Sequence, residues 1–495
     1  MAKLDETYRQ YLAISIQKEL CNLLSLEAEV YLPGSERFED SQFRFTEYGR
    51  PTFIAAVYPK TYLDVANSIR YAHTRGIPCT AKGGGHCVSS SMQTLQDGIV
   101  IDLQPLKEMN YDEKNQEVTA GGGVLSGEFL DYIHGFNMET NVGSCPTTGL
   151  MGVAIGGGIG RLQGKYGYLS DNITSCKIAL ADGSIVEASA TNNPDLFWGV
   201  CGAGHNFGIV VEATFKVYPQ QHGGLHHNWD FEFQVGQARA VFEVLNRWVG
   251  KMVPNLAVFV LWKRVAASGA KNVILVNAVW SGPLDEADEY ISQLHAISPI
   301  VPSAVQTVEW PELSWIALQG INRTYLGSPE SWNLYPYKLF AAASAKTFDI
   351  DTMCDIFQAL ESMTADDNLR ALAMFEVFSH HRAQEIPDDA TAFPWRHGSD
   401  IFQMLQVSIK DPKKSDACAE WLNQWKRTMI AKSGYPRLQQ YANYGHGTNQ
   451  KDPVEALYGY DKWRMKRLRG LKAKYDEKNW FRWYQPIIDP TDKHG

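Results

Sequence analysis

No stretch of the sequence reaches the roughly twenty consecutive apolar residues that a membrane-spanning helix requires, so no membrane span is expected. CxxC pairs are missing too: the eight cysteines (Cys21, Cys79, Cys87, Cys145, Cys176, Cys201, Cys354, Cys418) are scattered. That scatter argues against a zinc ribbon or a disulfide scaffold and suits a reducing compartment. The opening MAKLDETYRQYLAISI lacks the basic start and the long apolar stretch of a secretory leader, which makes a cytoplasmic location the expectation. Positive charge is in deficit, with 46 Lys and Arg against 55 Asp and Glu and a formal net charge of -9. Nucleic acid and anionic membrane surfaces therefore have no electrostatic claim as partners. Internal repeats, low-complexity tracts and a strict GxGxxG are absent as well, and the last omission disfavours a Rossmann dinucleotide site.

What is present is a chain of 495 residues, 44% hydrophobic and 20% charged, a soluble composition in a length that calls for two domains. Residues 11–30 read as an amphipathic helix. Thr52–Tyr58 reads as a strand, Thr61–Gly76 as a helix with a glycine stop, and Ile77–Thr80 as a strand entering a glycine loop. Gly98–Asp102 and Glu117–Ala120 follow as strands and Leu125–Phe136 as a helix. Asp182-Gly183 between Cys176–Ala181 and Ser184–Ala188 is the strongest hairpin signal in the chain. A strand over Gly208–Val217 closes the first domain near Pro219.

From residue 220 the texture changes. Strands at His226–Val235, Ala257–Val265 and Asn272–Trp280 alternate with helices at Gly236–Val249, Asp285–His295 and Asp351–Met363, without glycine loops. This pattern predicts an antiparallel sheet covered by helices on one face. A helix over Lys413–Ala431 precedes a tail whose helix, beginning at Leu457, carries Trp463, Leu468 and Leu471 on one face. The expected fold is α+β with two domains: residues 1–219, a substrate domain over 220–430, and a C-terminal segment 431–495 that returns to the first. The basic run Lys462–Lys474 reads as the wet face of that last helix. Paired histidines at His226-His227 and His380-His381, with His397, do not suggest a metal, because neighbours on a strand point to opposite faces.

Three glycine clusters stand out: Gly83–Gly85, Gly156–Gly160 and Gly202–Gly208. Successive glycines let backbone N–H groups close on a pyrophosphate and form an anion-binding nest. Any one cluster is most simply a tight turn, a lone histidine a hydrogen-bonding residue, and a lone cysteine a small buried hydrophobe. Here two glycine-dense loops each carry a nucleophile, His86 in Ala81–Cys87 and Cys145 in Val142–Asn172. Together they point to a phosphate-bearing cofactor.

The Gly-Gly-His86 loop, Cys145-Pro-Thr-Thr-Gly149 running to Gly156-Gly-Gly158, Lys165-Tyr-Gly167 with Asp171-Asn172, and Asn206-Phe-Gly-Ile-Val210 resemble the berberine bridge enzyme-like oxidases. The tail adds Tyr441-Ala-Asn-Tyr444, Leu457-Tyr-Gly459 and Lys474-Tyr-Asp476 through Asn479-Trp-Phe481. These are flavoproteins with a vanillyl-alcohol-oxidase type (PCMH-type) FAD domain, and the resemblance covers residues 46–219 and the tail but is weak over 220–430. It implies bicovalent FAD, with His86 on the 8α-methyl carbon and Cys145 as a thioether at C6; two electron-withdrawing tethers make a flavin a stronger hydride acceptor. It also implies cofactor contacts from Lys82, Gly83, Gly84, Gly85, Cys87, Gly149, Gly152, Gly156, Gly157, Tyr166, Asn206, Gly208, Ile209, Val210, Tyr441 and Asn443.

Tyr444 then becomes the phenolate base, provided its surroundings lower a pKa that starts near 10. His446 is a competing base, with a native pKa closer to neutrality. Family members often place a carboxylate on the strand before this motif, whereas Ile401–Val407 offers only Gln403 and Gln406. Val153 and Cys201 stand where plant members commonly have histidine and arginine, and Thr148 stands where side-chain size bears on oxygen access. The implied reaction is oxidation of a small apolar or aromatic specialised metabolite, with hydride passed to FAD and O2 reduced to H2O2; oxidative cyclisation is a variant. Two alternatives stand beside it: a carbohydrate oxidase of the same family, and a flavin-containing cyclase or binding scaffold without net redox turnover. Substrate identity and oligomeric state are not written in the sequence.

Overall fold

A single capping box sets the geometry from which the first glycine loop departs. Thr61 Oγ1 accepts the Asp64 N–H at 3.2 Å while the Asp64 carboxylate accepts the Thr61 N–H at 2.8 Å, satisfying two donors at the start of the helix Tyr62–Arg75. Gly76, at φ 68, ends it in the left-handed conformation. The chain then enters the strand Cys79–Lys82, which pairs in parallel with Gly98–Asp102. These belong to a sheet ordered Glu29–Tyr31, Phe53–Tyr58, Gly98–Asp102, Cys79–Lys82. A computed structural model of the chain describes residues 6–264, 272–301 and 303–488.

A second, antiparallel sheet runs Met109–Asp112, Glu117–Gly121, Ile209–Lys216, Ile173–Ala179, Ile185–Ser189. The expected hairpin is there, with Ala179 opposite Ile185 and Gly183 at φ 78 in the turn. The N-terminal helix is shorter than the periodicity predicts. It spans Glu6–Cys21, and Glu29–Tyr31 is a strand paired with Phe53–Tyr58. The Asp64 carboxylate accepts both the N–H and the hydroxyl of Ser25, at 2.7 and 2.9 Å, holding the chain in a turn where the helix was expected to continue.

The third sheet is antiparallel at every pairing and has seven strands, ordered Gln306–Glu309, Leu225–Gln234, Asn272–Trp280, Leu256–Arg264, Leu369–Phe378, Ile401–Ile409, Tyr337–Ala345. Val265, expected at the end of one strand, lies outside the described residues. Alternation divides its two faces. Val258, Val260, Phe375 and Leu405 pack on the helices Ala238–Trp248, Ile350–Met363 and Ser415–Lys432 through Phe242, Ile356, Phe357 and Leu422. Phe259 and Leu261 turn the other way, toward the first domain. The α+β architecture with an antiparallel substrate-side sheet is thus as the pattern predicts.

The tail helix Lys462–Tyr475 is not simply a solvated basic face. Leu468 and Leu471 are buried as expected, but Trp463 is 42% exposed, while Arg464 and Lys472 are buried. Lys472 Nζ donates to the carbonyls of Asn206 and Phe481 and to Asp476, at 2.6–2.7 Å, clamping the tail to the first domain. Among the described residues no helix is long and apolar enough to cross a membrane.

Candidate active site

The two nucleophile-bearing loops meet backbone to backbone, and glycine makes the meeting possible. A Cβ at Gly84 would stand 2.4 Å from the Thr147 carbonyl oxygen and 2.6 Å from the Gly149 nitrogen. Any other residue there forces the loops apart. Gly84→Ala is accordingly expected to destabilise the protein by about 1–3 kcal/mol, the range for overpacking, and to lower flavin content at purification, read from the visible-to-ultraviolet absorbance ratio.

Closing these loops brings His86 and Cys145 onto one hydroxyl. Thr147 Oγ1 lies 2.9 Å from His86 Nε2 and 3.4 Å from Cys145 Sγ, and it donates to the Leu326 carbonyl at 3.2 Å. A hydroxyl has one proton to give, so with that proton on Leu326 its oxygen accepts from the imidazole and the thiol. His86 then carries its proton on Nε2 and keeps a lone pair on Nδ1. Burial pushes the His86 pKa down to about 4, so the ring is neutral, and pushes the Cys145 thiol up. Phe45 stacks on the imidazole at 5.6 Å and Trp332 meets it edge-on at 4.9 Å, fixing the ring.

Both side chains face a cavity of about 390 Å³ between the glycine loops and the seven-stranded sheet. Lys82, Gly83, Gly84, Gly85, Cys87, Gly149, Gly152, Gly208, Ile209, Val210, Tyr441, Asn443 and Tyr444 also line it. So do Thr148 and Val153, whereas Cys201 is buried away from it. Four residues expected at the cofactor are not on its wall. A Cβ at Gly156 would sit 2.3 Å from Asn443 Oδ1, and one at Gly157 would sit 2.5 Å from Phe393, so these glycines make room for the tail and for the connection between the strands Leu369–Phe378 and Ile401–Ile409. Tyr166 donates to the buried Glu139, and Asn206 Nδ2 donates to the Tyr458 hydroxyl at 3.0 Å and the Gln485 carbonyl at 3.2 Å. These four hold the frame rather than the cavity.

His446 is also off the wall. Its N–H donates to Asp452 Oδ2 at 2.8 Å, its Nδ1 accepts the Asp452 N–H at 3.0 Å, and its carbonyl accepts from the Ser90 N–H and hydroxyl at 2.7 Å. The imidazole is used to fold the loop after the tyrosine motif. Tyr444 faces the cavity and donates its hydroxyl to Glu376 Oε2 at 3.1 Å. Burial, and next the negative charge on Glu376, raise the Tyr444 pKa well above its ordinary value. Glu376 itself is pushed up to about 8, chiefly by burial, with the Tyr444 hydrogen bond and the charge of Arg161 pulling the other way. The carboxylate that Ile401–Val407 lacks stands one strand over, on Leu369–Phe378. Its signal in the sequence is a single acidic residue in the apolar run LRALAMFEVF.

Arg44 supplies the counter-charge that the glycine clusters alone did not reveal. It follows the helix Glu36–Gln42 and lies beside Gly85 of the first glycine loop, lines the cavity, and has Nε and Nη2 buried with no hydrogen-bond partner among the described residues. A buried guanidinium with unused donors beside a glycine nest fits the pyrophosphate of FAD.

Residues 53–189 match the FAD binding domain model and residues 440–488 the model described as berberine and berberine like. The FAD-linked oxidoreductase alt4 of Alternaria solani is 46% identical over 485 residues, covering 97% of this chain and 98% of that protein. The chain belongs to the berberine bridge enzyme-like FAD-linked oxidoreductases. In fold, this oxidoreductase is similar to the BBE-like 1 protein of Physcomitrella patens, with a TM-score of 0.79 at 20% identity over 96% of this chain and 99% of that one. It is similar also to a glucooligosaccharide oxidase of Acremonium strictum, with a TM-score of 0.77 at 21% identity over 96% and 98%. The flavin-linked oxidoreductase class and the FAD cofactor follow from this membership, and the orphaned Arg44 and the closed glycine loops fit that cofactor.

Proposed function

We propose that this oxidoreductase takes a hydride from a small, largely apolar or aromatic specialised metabolite, passes the electrons to O2 with formation of H2O2, and holds its FAD through both His86 and Cys145. Bound FAD supplies the hydride acceptor. The observation that carries the substrate reading is the composition of the roof. From the sheet, the cavity receives Phe259, Leu261, Phe340, Leu372, Met374 and Met404, and only Glu376 and Gln406 with polar side chains. A sugar-binding surface needs a dense set of hydrogen-bonding groups to replace the hydration of each hydroxyl, since an unmatched buried polar group costs about 1–3 kcal/mol. This wall does not offer one, so the carbohydrate reading, suggested by neighbours such as the glucooligosaccharide oxidase, is the lesser of the two.

Proton handling falls to Tyr444 and Glu376. With its pKa raised by burial, Tyr444 is not a free-standing phenolate near neutral pH. The 3.1 Å hydrogen bond makes it a relay: a substrate hydroxyl gives its proton to the phenolic oxygen as the phenolic proton passes to Glu376 Oε2. The apolar lining keeps water from that carboxylate. Anaerobic mixing with candidate metabolites tests the reading, since hydride transfer must bleach the flavin absorbance. A panel of oligosaccharides that bleaches it while apolar alcohols and phenols do not would overturn the substrate class. A protein that binds such metabolites without bleaching would be a scaffold and not an oxidase.

A further inference from the structure

The two polar side chains of the roof are far apart and differently equipped. Glu376 lies opposite Phe402, and Gln406 lies opposite Leu372, on adjacent strands. Four residues of strand, at about 3.4 Å each, separate their rows by about 14 Å along the sheet. Between them the wall is Met374, Met404 and Leu261, with Leu372 beside Gln406. The sheet side of the cavity is therefore an apolar wall with one hydrogen-bonding group toward each end.

Gln406 is held for recognition. Its Nε2 donates to the Tyr325 hydroxyl and to Ser408 Oγ, both at 2.7 Å, which uses both amide protons. Burial raises the Tyr325 pKa, so that partner is a neutral phenol. With the amide so oriented, Oε1 has no partner among the described residues and is left as an acceptor on a residue that lines the cavity. No Lys or Arg is contributed by the sheet to this lining. An acceptor oxygen at the far end and a carboxyl group at the near end both select a neutral O–H or N–H donor and reject an anionic group.

We propose that Gln406 is a specificity-determining residue that receives a second hydroxyl or N–H at the distal end of an elongated, neutral, apolar substrate. This rests on reading the cavity as a substrate site. Its test uses binding alone, so that it fails or succeeds separately from turnover. The holoenzyme is titrated with para-hydroxybiphenyl and with para,para-dihydroxybiphenyl, neither of which has an alcohol carbon to oxidise, and binding is read from the shift in flavin absorbance. Wild type is expected to bind the dihydroxy compound about tenfold more tightly, the roughly fivefold effect of one net hydrogen bond multiplied by the roughly twofold statistical factor of a symmetric ligand. In Gln406→Leu the preference falls to the roughly twofold statistical factor of a symmetric ligand, while flavin content is unchanged. If Gln406→Leu folds poorly, Tyr325→Phe removes one of the two groups that orient the amide and is expected to narrow the preference likewise. Equal binding of the two compounds by wild type, or a preference that survives in the variant, overturns the assignment.

Discussion

Flavin is expected to leave the polypeptide on denaturation only when His86 and Cys145 are both replaced by alanine. Wild type and each single variant keep their yellow colour and the added mass of one FAD through acid precipitation; the double variant releases both. The expectation follows from the shared contact of His86 Nε2 and Cys145 Sγ with Thr147 Oγ1, which sets the two nucleophiles side by side at the edge of one cavity. Two carbons on one edge of a flavin ring can be reached by both side chains only from such an arrangement. Their electrostatics divide the work unequally. His86 is neutral at working pH with a lone pair on Nδ1, whereas the buried thiol must lose its proton against desolvation. His86→Ala, left with the thiol alone, is therefore expected to attach its flavin more slowly than Cys145→Ala, although both end fully labelled. Free flavin from denatured wild type, or flavin that stays bound in the double variant, defeats the bicovalent assignment.

The parts legible in the sequence are those that depend on local rules. The helix over Thr61–Gly76 with its glycine stop, the Asp182-Gly183 hairpin and the glycine loop carrying His86 are set by residues within a few positions of one another. What was hidden depends on residues distant in the chain. Glu376 reaches Tyr444 across 68 positions, and the run that carries it looks like any core strand until the sheet order is known. Ile401–Val407 offers only glutamines, and the carboxylate stands on the adjacent strand, on the same face of the sheet as Gln406. His446 shows the converse failure. Its unperturbed pKa recommends it as a base, but the left-handed turn at φ 53 commits its ring and backbone to Asp452 and Ser90. Likewise Gly156 and Gly157 are glycines because side chains from the tail and from Phe393 occupy their space, a constraint that no local motif expresses.

Glu376→Gln should abolish most turnover while preserving the cavity, because the amide keeps an oxygen to accept the Tyr444 hydroxyl. Loss of a positioned general base typically lowers kcat by roughly 10²- to 10⁴-fold. The pH dependence gives a sharper criterion. The carboxylate form accepts protons, and burial holds the Glu376 pKa near 8, so wild-type kcat/KM is expected to rise with pH through about 8 and then level off. In Glu376→Gln that rise disappears. In Tyr444→Phe, which removes the hydrogen bond that lowers the Glu376 pKa, the midpoint moves upward and the rate falls. Stability moves in the opposite sense to activity. Because the folded protein binds this proton more tightly than the unfolded chain, the contribution of Glu376 is fully present below its unfolded pKa near 4.5 and is lost as pH rises through about 8. The Tm of Glu376→Gln relative to wild type should therefore increase between pH 5 and pH 9, a shift that a carboxylate exposed to water would not produce. A flat wild-type profile with an unchanged difference in Tm would mean that Glu376 is neither the proton acceptor nor the strained group described.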